Sequence, residues 1–327
     1  MLTAQDRIVV TGAAGFIGSY FLRFLKEKGF ANLIAVDDFS NAEKSHNLID
    51  KKDVERVHRE QFEEWLETHK NSITHIFHFG ARTDTTEMDY EVHKKWNLDY
   101  SKMVWNKCVE QDIKLVYASS AATYGNGEFG YFDNHELPAI LKPLNPYGES
   151  KNNFDIWALE LKKQPKFWAG VKFFNVFGPN EYHKGRMASV IFHAYRQIVE
   201  TGGMKLFRSH HPDFKDGEQK RDFIYVSDVA KLCFWLMDKT PENGLYNVGT
   251  GQARTFLDLG KAVFSALDLP ENIEFIDTPI DIRDNYQYYT EAEMTKVFNA
   301  GYEEEFYTLE EAIKIYIQDF LKEKKYY

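Results

Sequence analysis

An α/β fold with a doubly wound parallel sheet and a smaller, interleaved C-terminal part is what three features of the sequence predict. Short apolar runs alternate with amphipathic stretches through the first half of the chain, the order a parallel sheet requires. A glycine-rich turn joins the first apolar run to a helical pattern. The 327 residues amount to about two domains' worth of chain, yet no linker separates them.

The elements follow in order. Residues 7–10 read as a strand and 12–18 as a turn. A helix with Phe21, Leu22 and Leu25 on one face then stops at Gly29. Further strands are predicted at 33–36, 73–79, 114–119 and 171–176, with helices that include 99–111 and 150–162. Connections of this kind are right-handed, so ligand contacts should gather at the C-terminal ends of the strands. After Gly178 the pattern loosens into a helix at 187–200, a strand at 205–207 and a charged stretch at 210–221. Strands at 222–226 and 245–248 come next, then an amphipathic helix from Arg254 onward and a strand at 273–276. The last helix carries Leu309, Ala312, Ile313, Tyr316, Ile317, Phe320 and Leu321 on one face, so it forms core.

Composition narrows the partners. A net charge of -10, from 40 basic and 50 acidic residues, argues against a broad grip on nucleic acid or anionic membrane. The 26 Phe, 19 Tyr and 6 Trp suit packed cores and stacking pockets. Cys108 and Cys233 cannot make a disulfide framework and sit in apolar helical patterns, which suggests a reducing compartment. With no apolar signal region and no run near the ~18 residues that span a bilayer, a cytoplasmic protein is expected.

Thr11-Gly12-Ala13-Ala14-Gly15-Phe16-Ile17-Gly18 joins strand to helix, where glycines permit a tight turn and the helix N-terminus offers N–H groups to a diphosphate. Asp37, at the end of the second strand, suits the hydroxyls of an adenosine ribose. Its charge taken alone favours NAD over NADP. Lys44 either offsets that charge or is a solvated surface residue, and Asp38 either joins Asp37 or only shapes the turn.

Tyr147 and Lys151 stand one helical turn apart on one face, so an ammonium can pull a phenol pKa down from ~10. The same spacing recurs at Tyr90 and Lys94, but only Tyr147 follows the strand that ends in Ser119-Ser120. A hydroxyl at that strand end can bond a substrate oxygen that gains or loses a proton. No metal site is expected: His75 and His78 lie three apart on a strand, hence on opposite faces, and His210-His211 lies in a charged loop. No nucleophile elbow or Cys/His pattern is present.

The G-x-x-G-x-x-G spacing, the Tyr147/Lys151 pair and the strand-end serine resemble the extended short-chain dehydrogenase/reductase family, which implies a Rossmann-type fold and a tightly bound nicotinamide cofactor, NADP with NAD as the alternative. Alignment of Tyr124-Gly125 with the family pattern selects Ser120 over Ser119. Cofactor contacts then fall on Gly12, Gly15, Phe16, Ile17, Gly18, Asp37, Asp38, Lys44, Phe79, Gly80, Ala81, Arg82, Thr83, Asn97, Tyr147, Lys151, Val176 and Lys184. The expected division is 1–176 as the cofactor domain, with 222–250 returning to it, and 177–221 plus 251–327 as a smaller substrate-binding domain.

Within that family the segments 117–125, 173–190 and 220–223 resemble the nucleotide-sugar epimerases that invert C6 of an ADP-linked heptose for the inner core of lipopolysaccharide, the segment His183-Lys184-Gly185 most specifically. The resemblance implies ADP-heptose as the small-molecule substrate, a homo-oligomer, and two acid/base groups, Tyr147 for one epimer and Lys184 for the other. A lysine in that role needs a depressed pKa. Substrate contacts fall by the same match on Asn175, Arg186, His193, Phe207, Arg221 and Tyr286. Arg186 departs from the serine usual at its position, and 208–220 is longer than usual. A dehydratase would carry Asp-Glu where Ala121 and Ala122 stand. The competing readings are a UDP-glucose-type 4-epimerase, which does not explain 183–185, and a nicotinamide-binding regulator without turnover, which would have no need of Tyr147 and Lys151.

Overall fold

The computed structural model describes residues 1–283 and 287–327, so Tyr286 lies outside the described residues. Among the described residues there are twelve strands: β1 (Ile8–Thr11), β2 (Leu33–Asp37), β3 (Glu55–His58), β4 (His75–His78), β5 (Lys114–Ser120), β6 (Trp168–Phe173), β7 (Asn175–Phe177), β8 (Met204–Phe207), β9 (Lys220–Tyr225), β10 (Gly244–Val248), β11 (Ala253–Thr255) and β12 (Ile273–Ile276). Seven of them form one sheet in the order β10-β6-β5-β4-β1-β2-β3, and every pairing in it is parallel. The order reverses between β1 and β4, which opens a crevice at their C-terminal ends.

Alternation along the strands feeds two cores. Val9, Ile34, Ile76 and Leu115 face one layer, with Trp105 and Cys108 of the Tyr100–Glu110 helix and Phe154 of the Pro146–Glu160 helix. Ile8, Val10, Phe77 and Val171 face the other, with Phe21 and Leu25 of the Phe16–Glu27 helix and Cys233 and Leu236 of the Val226–Lys239 helix. Both thiols are free and buried, one in each layer, as their helical setting implied. The second layer continues into the C-terminal lobe through Ile313, Tyr316 and Ile317, which explains why the sequence has no linker.

Two strand expectations change. The run at 171–176 is two strands: β6 stays in the central sheet, the backbone turns at Phe174, whose N–H bonds the Val248 carbonyl at 3.1 Å, and β7 leaves for another sheet. The strand expected at 222–226 is β9, which pairs with β7 and β11 and not with the central sheet; of the returning segment, only β10 joins the central sheet. β3 carries no expectation in the sequence because only Val57 of its four residues is buried, so it has neither alternation nor an apolar run. β8 and β12 pair in parallel as a small separate ribbon. No helix among the described residues is long and apolar enough to cross a membrane.

Candidate active site

The crevice at the sheet's C-terminal edge is a cleft of about 780 Å³. Its floor is the glycine turn. Gly12 has φ +66°, and a Cβ there would lie 2.7 Å from the Gly80 nitrogen, so β1 and β4 close up only around a residue without a side chain. Gly15 caps the Phe16–Glu27 helix without a side-chain hydrogen bond, and no acidic residue stands in the first turn. With Gly15, Phe16, Ile17 and Gly18 lining the cleft, this is a cradle for a diphosphate.

Asp37, buried at the end of β2, accepts from the Ala14 N–H at 2.9 Å and the Asp38 N–H at 2.7 Å. Lys44 places its ammonium 3.7 Å from that carboxylate and lines the cleft. Asp38 does not line the cleft. It shapes the turn by accepting from Ser40 and pairs with Arg59 at 3.0 Å. Arg59, which sequence reasoning missed, does line the cleft and lies 3.8 Å over the Trp96 ring. Nothing in the short, polar β3 before it announces a site.

On the opposite wall Asn145 caps the Pro146–Glu160 helix through the Gly148 N–H (2.8 Å), which puts Tyr147 in its first turn. Burial raises the Tyr147 phenol, and a hydrogen bond with Ser120 pulls it back. Lys151 lines the cleft with Tyr147. Its buried ammonium donates to the Ala118 carbonyl at 2.8 Å, and burial lowers its pKa to about 8. Asp155, one turn further on, opposes that shift and pairs with buried Lys172 at 2.6 Å. Ser119 and Ser120 both line the cleft, and the Ser119 hydroxyl donates to Asp155 at 2.7 Å. The second pair is used elsewhere: Tyr90 accepts from Asn153 at 2.7 Å, and Lys94 bonds Asp99 at 2.8 Å.

Lys184 reaches the same cleft from a short 3-10 segment, Tyr182–Met187, with its amine 5.2 Å over the Phe16 ring. Burial lowers its pKa and Glu181 raises it. His183 beside it contacts the Asn47 amide at 3.3 Å, and burial lowers its pKa to about 4. Phe79, Gly80, Ala81, Arg82, Thr83, Asn175 and Val176 also line the cleft. Asn97 does not. It is fully buried behind the wall, where its amide clasps the Arg82 backbone N–H (2.7 Å) and carbonyl (3.0 Å).

Four residues expected at the substrate stand outside the cleft lining. Arg186 is exposed at the rim, bonds the Thr86 hydroxyl and lies 3.8 Å from Asp84. The His193 ring sits 3.3 Å from the Arg186 carbonyl. Phe207 ends β8, and its carbonyl accepts from Gln219. Arg221 turns its guanidinium onto the Lys220 carbonyl (2.8 Å) and the Gln287 carbonyl, over the Phe256 ring. Among the described residues no cluster of three or more His, Cys, Asp or Glu is placed to hold a metal.

The NAD dependent epimerase/dehydratase family matches residues 8–249. The chain belongs to this family. Among curated relatives it is 44% identical to the ADP-L-glycero-D-manno-heptose-6-epimerase of Fusobacterium nucleatum, over 98% of this chain and 99% of that one. It is 45% identical to the protein of the same name from Nitratidesulfovibrio vulgaris, over 96% and 97%. Among solved structures the Helicobacter pylori protein titled ADP-L-glycero-D-manno-heptose-6-epimerase superposes with a TM-score of 0.81 at 26% identity, covering 97% of this chain and 96% of that one. The Thermotoga maritima UDP-glucose 4-epimerase shares the fold, with a TM-score of 0.78 at 24% identity over 97% and 99%. The family resemblance read from the sequence, its Rossmann-type fold and its epimerase class thus agree with these relatives.

Proposed function

We propose that the protein inverts C6 of the heptose in ADP-D-glycero-D-manno-heptose to give the L-glycero epimer, a precursor of the lipopolysaccharide inner core. The observation that carries this reading is one cleft with Tyr147, Lys151 and Ser120 on one wall and a half-buried Lys184 reaching in from a separate loop. Identity of 44–45% along nearly the whole chain to enzymes of that name supports it.

The residues fit a nicotinamide dinucleotide. The 12–18 turn holds its diphosphate, Asp37 its adenosine ribose, and 79–83 with Val176 the nicotinamide end. Lys44 and Arg59 put positive charge beside Asp37 and Asp38, which favours the 2'-phosphate of NADP. When bound, the nicotinamide supplies reversible oxidation at C6, which makes that carbon planar as a ketone. The protein's share is proton traffic. The C6 oxygen occupies two positions in the two epimers, so Tyr147, backed by Ser120 and Lys151, takes or returns its proton in one, and Lys184 does so in the other. Lys184 is suited because burial lowers its pKa toward the working range. Asn97 acts through Arg82 as a positioning residue.

Asn175 contacts the sugar from the cleft wall, and Arg186, His193, Phe207, Arg221 and Tyr286 serve the ADP-heptose from the smaller lobe, with Arg221 directed to the diphosphate. The lobes divide as 1–176 with the returning 222–250 against 177–221 with 251–327. A cytoplasmic homo-oligomer fits the reduced, buried Cys108 and Cys233 and the nucleotide-sugar substrate. NMR of ADP-D-glycero-D-manno-heptose with purified protein and no added cofactor tests the reading. The expected result is the L-glycero signals; absence of C6 inversion, with UDP-glucose inverted at C4 instead, replaces it by the 4-epimerase.

A further inference from the structure

We propose that Glu181 is a positioning residue for Lys184: its buried carboxylate closes the 178–189 loop into a ring and holds the Lys184 amine where it exchanges protons with the substrate. This rests on the acid/base reading of Lys184 given above.

The loop cannot hold itself. Its Tyr182–Met187 segment is 3-10 backbone broken at Gly185 (φ 53°, ψ -128°), and short 3-10 turns carry little stability of their own. Glu181 is 0% exposed. Its carboxylate accepts from the Ser189 N–H at 2.5 Å, the Ser189 hydroxyl at 2.7 Å, the Tyr316 hydroxyl at 3.0 Å and the Gly178 N–H at 3.4 Å. Gly178 and Ser189 are the two ends of the loop, and Ser189 also caps the Val190–Thr201 helix. Tyr316 belongs to the C-terminal helical segment, 135 residues away, so the ring is bolted to the core. The Glu181 carbonyl accepts the Lys184 N–H at 2.9 Å, which fixes the backbone that carries the amine.

Four donors explain why the side chain is a carboxylate. An amide has one acceptor oxygen and would leave buried donors without partners, whereas a carboxylate has room for all four. Those four partners carry no charge, and the field of Glu181 falls on Lys184, opposing the effect of burial there. The other ionisable groups lining the cleft are His183 on the same loop, Asp37, Lys44, Arg59, Arg82 and Asp84 on the β-strand connections, Tyr100 at the start of the Tyr100–Glu110 helix, and Tyr147 and Lys151 on the helix wall. The field of Glu181 falls on the Lys184 amine, so its removal is read in the Lys184 titration.

Glu181→Gln, purified with its bound cofactor, decides the matter by three readouts: C6 inversion, nicotinamide content, and the pH dependence of Lys184 labelling by a small amine-reactive reagent followed by peptide mass spectrometry. The expected result is a kcat lowered roughly tenfold or more, KM within about threefold and cofactor content unchanged. The Lys184 labelling midpoint moves to lower pH. A wild-type kcat, or a midpoint that stays or rises, overturns the proposal. Labelling needs no substrate, so it judges Glu181 even if the wild-type protein fails to invert C6, a failure that counts against the proposed function alone. Should Glu181→Gln not fold, Tyr316→Phe removes one donor and no charge. It should lower kcat about threefold without lowering the midpoint, and a wild-type kcat there overturns the ring.

Discussion

Lys151 and Lys184 enter one cleft from opposite kinds of structure. Lys151 lies on a 15-residue helix whose apolar side is built into a core layer, with Ala118 and Asp155 within reach of its ammonium. Lys184 lies on six residues of broken 3-10 turn, and what steadies it comes from far away in the chain: Asn47 against His183, 136 residues apart, and Tyr316 against Glu181. The first lysine is held by local periodicity, the second by long-range polar contacts. On the proposed function, one proton-transfer group is therefore built into the fold, and the group that serves the second epimer is added on a loop.

The contrast breaks most visibly in turnover. Tyr147→Phe and Lys184→Ala should each lower C6 inversion by roughly 10²–10⁴-fold while nicotinamide content stays at the wild-type level. Wild-type turnover in either would remove the two-group assignment. The helix wall should also show its cost in stability. Lys172→Met strips Asp155 of its buried partner at 2.6 Å, and a loss of about 3–5 kcal/mol in urea unfolding is expected. A loss below about 1 kcal/mol would mean the pair is not what anchors that wall.

At the far end of the cleft, Lys44→Ala should reduce discrimination for NADP over NAD by about tenfold in binding titrations, the worth of one charged contact to phosphate. Equal affinities before and after would return Lys44 to the solvated surface. The helix wall also shows itself in pH dependence. The Lys151 pKa is lowered from 10.5 to about 8 in the folded protein. Between those values the unfolded chain binds more protons, so this group makes stability rise with pH across that window. The difference in stability between wild type and Lys151→Met should therefore change from about pH 8 to 10.5 and be level below it, as followed by denaturant midpoints.

Legibility in the sequence followed the same division. The glycine turn, Ser120, Tyr147 and Lys151, all of which line the cleft, were readable because each sits at a fixed offset from a strand or helix boundary. Arg59 was not readable, because it follows a strand whose residues are mostly exposed. The passage of β7 and β9 into a second sheet was hidden by apolar runs that carry no mark of which sheet they join. Glu181 escaped, and Asn97 was read as a cofactor contact and not as a buried clasp, for a different reason: burial of a polar side chain is decided by partners such as Tyr316 and Ser150 that no local spacing connects.

The central claim is that C6 is inverted by transient oxidation inside one cleft, with Tyr147 and Lys184 sharing the proton work. NMR of ADP-D-glycero-D-manno-heptose turned over in deuterated water tests it most directly. The account predicts the L-glycero epimer with its original hydrogen retained at C6, because that hydrogen leaves and returns without meeting solvent. Deuterium at C6, or no inversion at that carbon, would contradict it.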